Sequence, residues 1–349
     1  MEKFAVLNQN KINIFITVDT EHSIGGAFAN SNLKPVGSDR RIFYTVGNTS
    51  YGIPLIMDIA DHCGLRVSFF TEVLNKYYFG ENESRIVCEY IMKRGHDVQL
   101  HLHPNYLNFR SQGPVTHSFP DQLYTYPLEK QTGFIAEGKK TLNSFGVNPT
   151  AFRAGNFNAD RNTLTALAEN GFIADTSYSK AYLGKSCRLD HADINDAEYL
   201  DGIWEFPVTN FLENSPVGRR YRPLDINGVS FLQMRKVLEQ AVEKGPRNIT
   251  IVMHSFSFIN PLDLQYRKMR PRKTVIRRFE KLCRYLAENR SLFRVMTFGE
   301  LHINKLKDIA ENAVHHVPKI HFGCSLARNL EQIWDVLPLQ PVISFDKKR

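Results

Sequence analysis

His101 and His103 stand two residues apart in Gly95-His96-Asp97-Val98-Gln99-Leu100-His101-Leu102-His103-Pro104. Val98, Leu100 and Leu102 alternate with Gln99, His101 and His103, which is the two-residue period of a strand. Two imidazoles on one strand face can share a metal ion if the chain sets a carboxylate opposite them. Asp19 and Glu21 follow an apolar run at residues 12–18, and His254 ends another at 249–253. Two histidines and one carboxylate with open positions make a catalytic metal site; a second carboxylate can then act as base and a further histidine as acid. The bland alternatives stand beside this. A buried structural role serves His101 and His103 equally, Asp19 can cap a turn, and His96 fits a helix–strand junction. Asp175-Thr176-Ser177 is good turn sequence.

These residues need elements to bring them together. Residues 12–18 read as a strand, followed by a long polar loop to about residue 50. A helix is expected over 53–62, with Pro54 in its first turn and Gly64 as its stop. Leu65 to Phe70 reads as a second strand and Glu83 to Lys93 as a second helix, closed by Gly95. The histidine strand comes next, then an irregular stretch over 105–130. A helix over 131–144, a strand at 150–152 ending in Arg153-Ala154-Gly155-Asn156, and a helix over 161–170 capped by Asp160 continue the rhythm. Phe172 to Ala174 leads to Asp175. Residues 203–208 form a strand carrying Trp204 and Glu205, and 210–228 reads as a loop. A helix at 230–244, the strand at 249–253, a basic helix at 273–288 and a strand at 293–298 follow. Strand–helix alternation of this kind builds a parallel sheet, and seven or eight strands point to a closed or nearly closed β/α barrel. Strand ends converge on one face of such a barrel, which gathers Asp19, Glu21, His101, His103, Arg153, Asp175 and His254. The expected fold is therefore a single distorted (β/α)7-type barrel over residues 1–300. It has long loops, and a C-terminal extension over 301–349 packs on the barrel or on a partner chain, so a homo-oligomer is open.

The same stretches resemble the motifs of the polysaccharide deacetylases, the NodB-like proteins of carbohydrate esterase family four. Thr17-Val18-Asp19-Thr20-Glu21 is similar to their first motif in its Asp-x-Glu form, and Gly95 to His101 to the approach to the second. Phe152-Arg153-Ala154-Gly155-Asn156 resembles the third, Gly171 to Ser177 the fourth, and Ile251-Val252-Met253-His254 the fifth. The resemblance spans roughly residues 10–300. It implies metal-assisted removal of N-acetyl or O-acetyl groups from sugars. On that likeness Asp19 is the general base, Glu21 and His101 are ligands, and Arg153 holds and tunes Asp19. His254 is the acid that protonates the leaving amine, and Asp175 orients or tunes it. The Asn156 backbone N–H takes the place where the family has tyrosine, as an oxyanion donor. The family's second histidine falls four residues after the first, where this chain has Asn105. His103 is the preferred ligand because it shares a face with His101, with Asn105 and His22 as fallbacks. One divalent ion is expected. Zinc suits the ligands, and nickel, cobalt and iron remain open.

Composition sets the frame. Hydrophobic residues are 42% and charged residues 23%, which suits a folded chain with a sizeable core. The charge of +8 permits an acidic substrate, an anionic membrane surface or nucleic acid. No nucleic-acid motif accompanies it. The basic residues crowd at 267–278 and at Arg219, Arg220 and Arg222. The cysteines are Cys63, Cys88, Cys187, Cys283 and Cys324, with no CxxC pair, and are expected reduced. No signal-peptide pattern and no long apolar run occur, so a cytoplasmic protein is the expectation; with it, the family resemblance implies an enzyme acting on an acetylated sugar or sugar precursor of a surface polysaccharide. An amidase of the same fold acting on a small non-sugar amide is the runner-up, followed by a binding protein with a decayed site.

Overall fold

A computed structural model describes residues 11–110, 118–190, 192–215 and 218–303. It also describes 306, 307, 309, 312–321, 323, 324, 328 and 342–344. Seven parallel strands form its centre: β1 (Ile12–Thr20), β2 (Ser68–Glu72), β3 (Asp97–Leu102), β4 (Ala151–Ala154), β5 (Ala174–Asp175), β6 (Ile203–Glu205) and β7 (Asn248–His254). Their order is β7-β1-β2-β3-β4-β5-β6, with Glu198–Leu200 added antiparallel on β6. Beyond β6 the chain curls back to the free edge of β7. Thr209 N–H donates to the Thr250 carbonyl at 3.1 Å, and Val208 and Asp225 bridge Thr250 and Val252 in parallel. The sheet is a distorted, nearly closed (β/α)7 barrel. A further strand, β8 (Phe293–Met296), pairs with Ile12–Phe15 of β1, while β2 takes Thr17–Thr20 of the same strand. β1 is long enough to serve two neighbours on one edge.

Helices cover the outside. They are α1 (Ile53–His62), α2 (Glu81–Lys93), α3 (Leu128–Ser144), α4 (Arg161–Glu169), α5 (Phe231–Lys244) and α6 (Lys273–Glu288). Asp160 caps α4 by accepting from Thr163 N–H, and Ser230 caps α5 by accepting from Gln233 N–H. Strand alternation sorts the core into two layers. Ile12, Ile14, Ile16 and Val18 point outward to the helices, as do Leu100 and Leu102. Phe15 points inward and meets Phe206 and Phe298 at ring centroid distances of 5.3 and 4.8 Å. Above Phe15 on the same inner face come Thr17 and then Asp19. The barrel is thus apolar at its base and polar at its mouth.

Three stretches differ from the sequence reading. Residues 210–228 contain an antiparallel ribbon, Asn210–Ser215 with Gly218–Pro223. Its second strand is arginine-rich and largely exposed, so it lacks the apolar alternation that marks a half-buried strand. The loop after β1 holds a five-residue π-helical turn, Asp39–Phe43. The basic stretch 267–278 is divided between a strand, Lys268–Pro271, and the start of α6. In the C-terminal region Lys319–Ile320 pairs with Leu212–Glu213, and Ile343–Ser344 pairs with Lys268–Met269. Residues 329–341 and 345–349 of that region lie outside the described residues.

Candidate metal centre

His101 is the penultimate residue of β3, and the backbone at His103 is still extended (φ −120°, ψ 94°). Both imidazoles therefore face the barrel mouth, with ring centroids 5.0 Å apart. Glu21, one residue past β1, comes from across the mouth. Its Oε2 lies 2.6 Å from His103 Nε2 and 3.5 Å from His101 Nε2. One donor atom from each of Glu21, His101 and His103 lies within 4.8 Å of the others.

The far side of each ring decides what fits between them. His101 Nδ1 is 2.8 Å from the Arg153 carbonyl, which can only accept, so Nδ1 carries the proton. Nε2 then offers a lone pair toward a carboxylate that also offers lone pairs. His103 Nδ1 lies 3.0 and 2.9 Å from the two oxygens of Asp121, which fixes the same tautomer. The Nε2 atoms of two imidazoles and a carboxylate oxygen, aimed at one point, call for positive charge there, which a proton on His103 or a metal ion in its place would supply. Rear nitrogens held by a carbonyl and a carboxylate are the outer shell that metal-binding histidines carry. The donor set suits a divalent ion of the zinc, nickel, cobalt or iron group.

Electrostatics agree with the crowding. Burial pushes the Glu21 carboxyl up, but the charge and hydrogen bond of His103 and the Arg41 charge hold it well below the usual range. Burial pushes His103 down, and Asp121 and Glu21 together raise it well above the ordinary imidazole value. Arg41 donates to Glu21 Oε1 at 3.0 Å, and its guanidinium lies 3.2 Å over the Phe256 ring. Gly155 completes the cradle: a Cβ there would stand 2.6 Å from His103 Cε1 and Nδ1.

Asp19 sits beside this cluster, buried, with Arg153 Nη1 donating to its Oδ1 at 2.6 Å. The same nitrogen reaches Thr17 Oγ1 at 2.9 Å, and Arg153 Nε donates to the Thr176 carbonyl at 3.1 Å. Arg153 is fully buried. His254, at the end of β7, pairs in register with Asp19, and its Nε2 is 4.0 Å from Asp19 Oδ2. Its side chain is 29% exposed, which leaves it open to a ligand entering the mouth.

The structure does not bring Asp175 to His254. Ala174 packs in the inner aromatic cluster, so the next residue on the strand points outward. Asp175 Oδ1 there accepts from Ser177 Oγ at 2.8 Å, and the carboxyl is hydrogen-bonded to Glu205. Burial raises both carboxyls. Besides Asp19, a second carboxylate feels His254: Asp225, half-buried on the segment bridged to β7; burial raises it, and the His254 charge opposes the rise. Neither fallback ligand joins the centre. His22 Nδ1 meets Asn75 at 2.5 Å, with Nε2 3.5 Å from Glu83. Asn105 lies on the 3-10 turn after Pro104. Asn156 has a left-handed backbone (φ 53°) and donates through Nδ2 to Asp121 at 3.0 Å. Asp121, Arg41 and Asp225 went unseen in the sequence, because each lies in a segment without periodicity. An acidic residue following Pro120 was the one available hint.

No protein-family model matches the chain, and no curated protein sequence matches it. Several solved structures share part of its chain path. One is a candidate polysaccharide deacetylase from Mycobacterium smegmatis, 15% identical, with 90% of this chain and 96% of that chain covered and a TM-score of 0.49. Another is a family 4 carbohydrate esterase from Streptomyces lividans, 9% identical over 88% and 98% of the two chains, TM-score 0.42. A third is the peptidoglycan deacetylase PdaC from Bacillus subtilis in a mutant form, 10% identical over 93% and 98%, TM-score 0.38.

Proposed function

We propose that this chain is a metal-dependent hydrolase that removes an acetyl group from an N-acetylated or O-acetylated sugar, as a polysaccharide deacetylase of the NodB-like kind. The observation that carries the reading is the convergence of Glu21, His101 and His103 with their rear nitrogens already held. Asp19, Arg153 and His254 stand against it in the order of the motifs. The reading places the barrel in residues 1–300, with 301–349 as an extension. It places the reaction in the making of a surface polysaccharide, in the cytoplasm.

Glu21, His101 and His103 would hold the ion. When bound, the ion supplies a Lewis acid that polarises the acetyl carbonyl and lowers the proton affinity of water. The protein residues do the rest. Asp19 Oδ2, turned toward the mouth, takes the proton of the attacking water. Arg153 fixes the Asp19 carboxylate through Oδ1. The Asn156 backbone N–H is the proposed donor to the carbonyl oxygen as negative charge develops there. An amine leaves poorly unless protonated, and His254, on the strand beside Asp19, delivers that proton. Asp225, on the segment bridged to Val252 of the same strand, takes the tuning role expected of Asp175 through its charge.

Acetate release from a panel of acetylated sugars tests the reading. Native protein loaded with zinc, nickel, cobalt or iron should release acetate from at least one sugar. Asp19→Asn should lower kcat by about 10²- to 10⁴-fold with metal retained. Release by none of the metal-loaded forms, with the metal bound, would contradict it.

A further inference from the structure

We propose that the rim of the barrel mouth is a docking surface for an anionic lipid bilayer. Two segments leave the catalytic end and meet there. One is the loop after β1, which follows Glu21. The other is a hairpin, Ile259–Pro261 with Lys268–Pro271, which follows His254. Gln265 ties them together, its Nε2 donating to the carbonyls of Gly25 at 2.6 Å and Lys34 at 2.8 Å. Leu33 and Leu264 close on Gly26, so that a Cβ there would stand 2.8 and 3.1 Å from their methyl carbons.

The turn of the hairpin carries apolar side chains that are largely open to solvent. Leu264 is 64% exposed and Leu262 40% exposed, on either side of Asp263. Asp263 spends its carboxylate inside the turn, accepting from the N–H groups of Gln265, Arg267 and Lys268 at 2.9, 3.2 and 2.9 Å. Around the leucines stand Lys34, Arg267 and Lys268, all exposed, with Arg40 and Arg270 partly so. A polar cavity of about 670 Å³ opens between the two segments, lined in part by Lys34, Arg40, Arg267 and Tyr78. Its acidic members are Asp39 and Glu83, and Glu83 is engaged by Ser38 and His22. Apolar tips that project past a collar of cations match an interface whose headgroups are negative and whose interior is apolar. Among the described residues no helix is long and apolar enough to cross a membrane, so this contact would lie on the surface. In that pose the mouth faces the bilayer, and a sugar carried on a lipid would be presented to it. The docking itself does not depend on the hydrolase reading.

Vesicle sedimentation of the full chain tests the docking without any sugar present. Vesicles of phosphatidylcholine with phosphatidylglycerol should bind about ten-fold or more protein than phosphatidylcholine alone, and the excess should fall with salt. The double variant Leu262→Ser, Leu264→Ser and the double variant Arg267→Glu, Lys268→Glu should each lose about ten-fold in partition. Their thermal unfolding and metal content should stay native, since these side chains project into solvent. Leu264→Trp supplies a reading in a chain that keeps an apolar tip: its emission should move to the blue on anionic vesicles only. Equal binding to both vesicle types, or variants that bind as the native chain does, would overturn the proposal. So would a dimer that forms through the leucines while no vesicle is bound. Acetate release from soluble sugars should be unchanged in these variants, so failure of docking and failure of the hydrolase reading are separate results.

Discussion

Asp121 has the sharpest single-residue consequence. It lies against His103 Nδ1 and accepts from Asn156 Nδ2, and is itself no proposed ligand. Its removal should therefore weaken metal affinity without abolishing it, by about 10- to 100-fold in Asp121→Ala. Titration of the apoprotein with zinc reads this directly; an unchanged affinity would mean that His103 needs no support. Strand period and position at a strand end put His101 and His103 on one face, and the structure brings Glu21 to them; the ligand role of Glu21 came with the family resemblance. Asp175 was misplaced by strand phase. A one-residue difference in where β5 begins its alternation decides whether a side chain faces the barrel interior or the helices. The sequence around Asp175 is too short and polar to reveal that phase. Asp225 could not be found at all, since its place depends on how the chain returns to the edge of β7.

The strand end at β4 turns tightly because Gly155 lies under His103. Gly155→Ala would set a methyl 2.6 Å from the imidazole and 2.8 Å from the Leu102 carbonyl, both beyond easy adjustment. The expected result is a loss of about 1–3 kcal/mol in unfolding free energy together with weaker metal binding. A chemical-denaturation curve and a metal titration on the same sample would show a coupled loss. α2 offers a pH test. Hydrogen bonds with His22 and Ser38 outweigh burial and hold Glu83 down to about 2. A depressed carboxyl stabilises the fold above its unfolded value, near 4.3, and that contribution is lost as pH falls toward 2. Glu83→Gln should therefore destabilise the protein near neutrality and show a smaller fall in stability between about pH 4 and pH 2. Parallel pH curves for the two proteins would count against this assignment. The helices were legible from caps and periodicity, as at Asp160 and Ser230. The ribbon at 210–223 was not, because Arg220 and Arg222 converge on the buried Glu213 and erase the apolar alternation.

At the scale of the whole molecule, the barrel separates an apolar base from a polar mouth, and three of its thiols belong to the buried layers. Cys88, Cys187 and Cys283 are buried, and burial pushes the Cys88 thiol up to about 12. None of these three should react with iodoacetamide near neutral pH until the chain unfolds, as counted by mass spectrometry; prompt labelling of Cys88 in the native protein would contradict the packing. The fold class followed from strand–helix alternation alone. Closure through Val208 and Thr250 did not, since it rests on single bridges that leave no mark in the sequence. The central claim is that the mouth of this barrel is a metal centre made by Glu21, His101 and His103. Elemental analysis tests it most directly. The native chain should carry about one divalent ion. Glu21→Ala, His101→Ala and His103→Ala should each carry far less, while Asn105→Ala and His22→Ala keep the native content. Unchanged metal in both histidine variants, or no metal in the native chain after loading, would contradict the account.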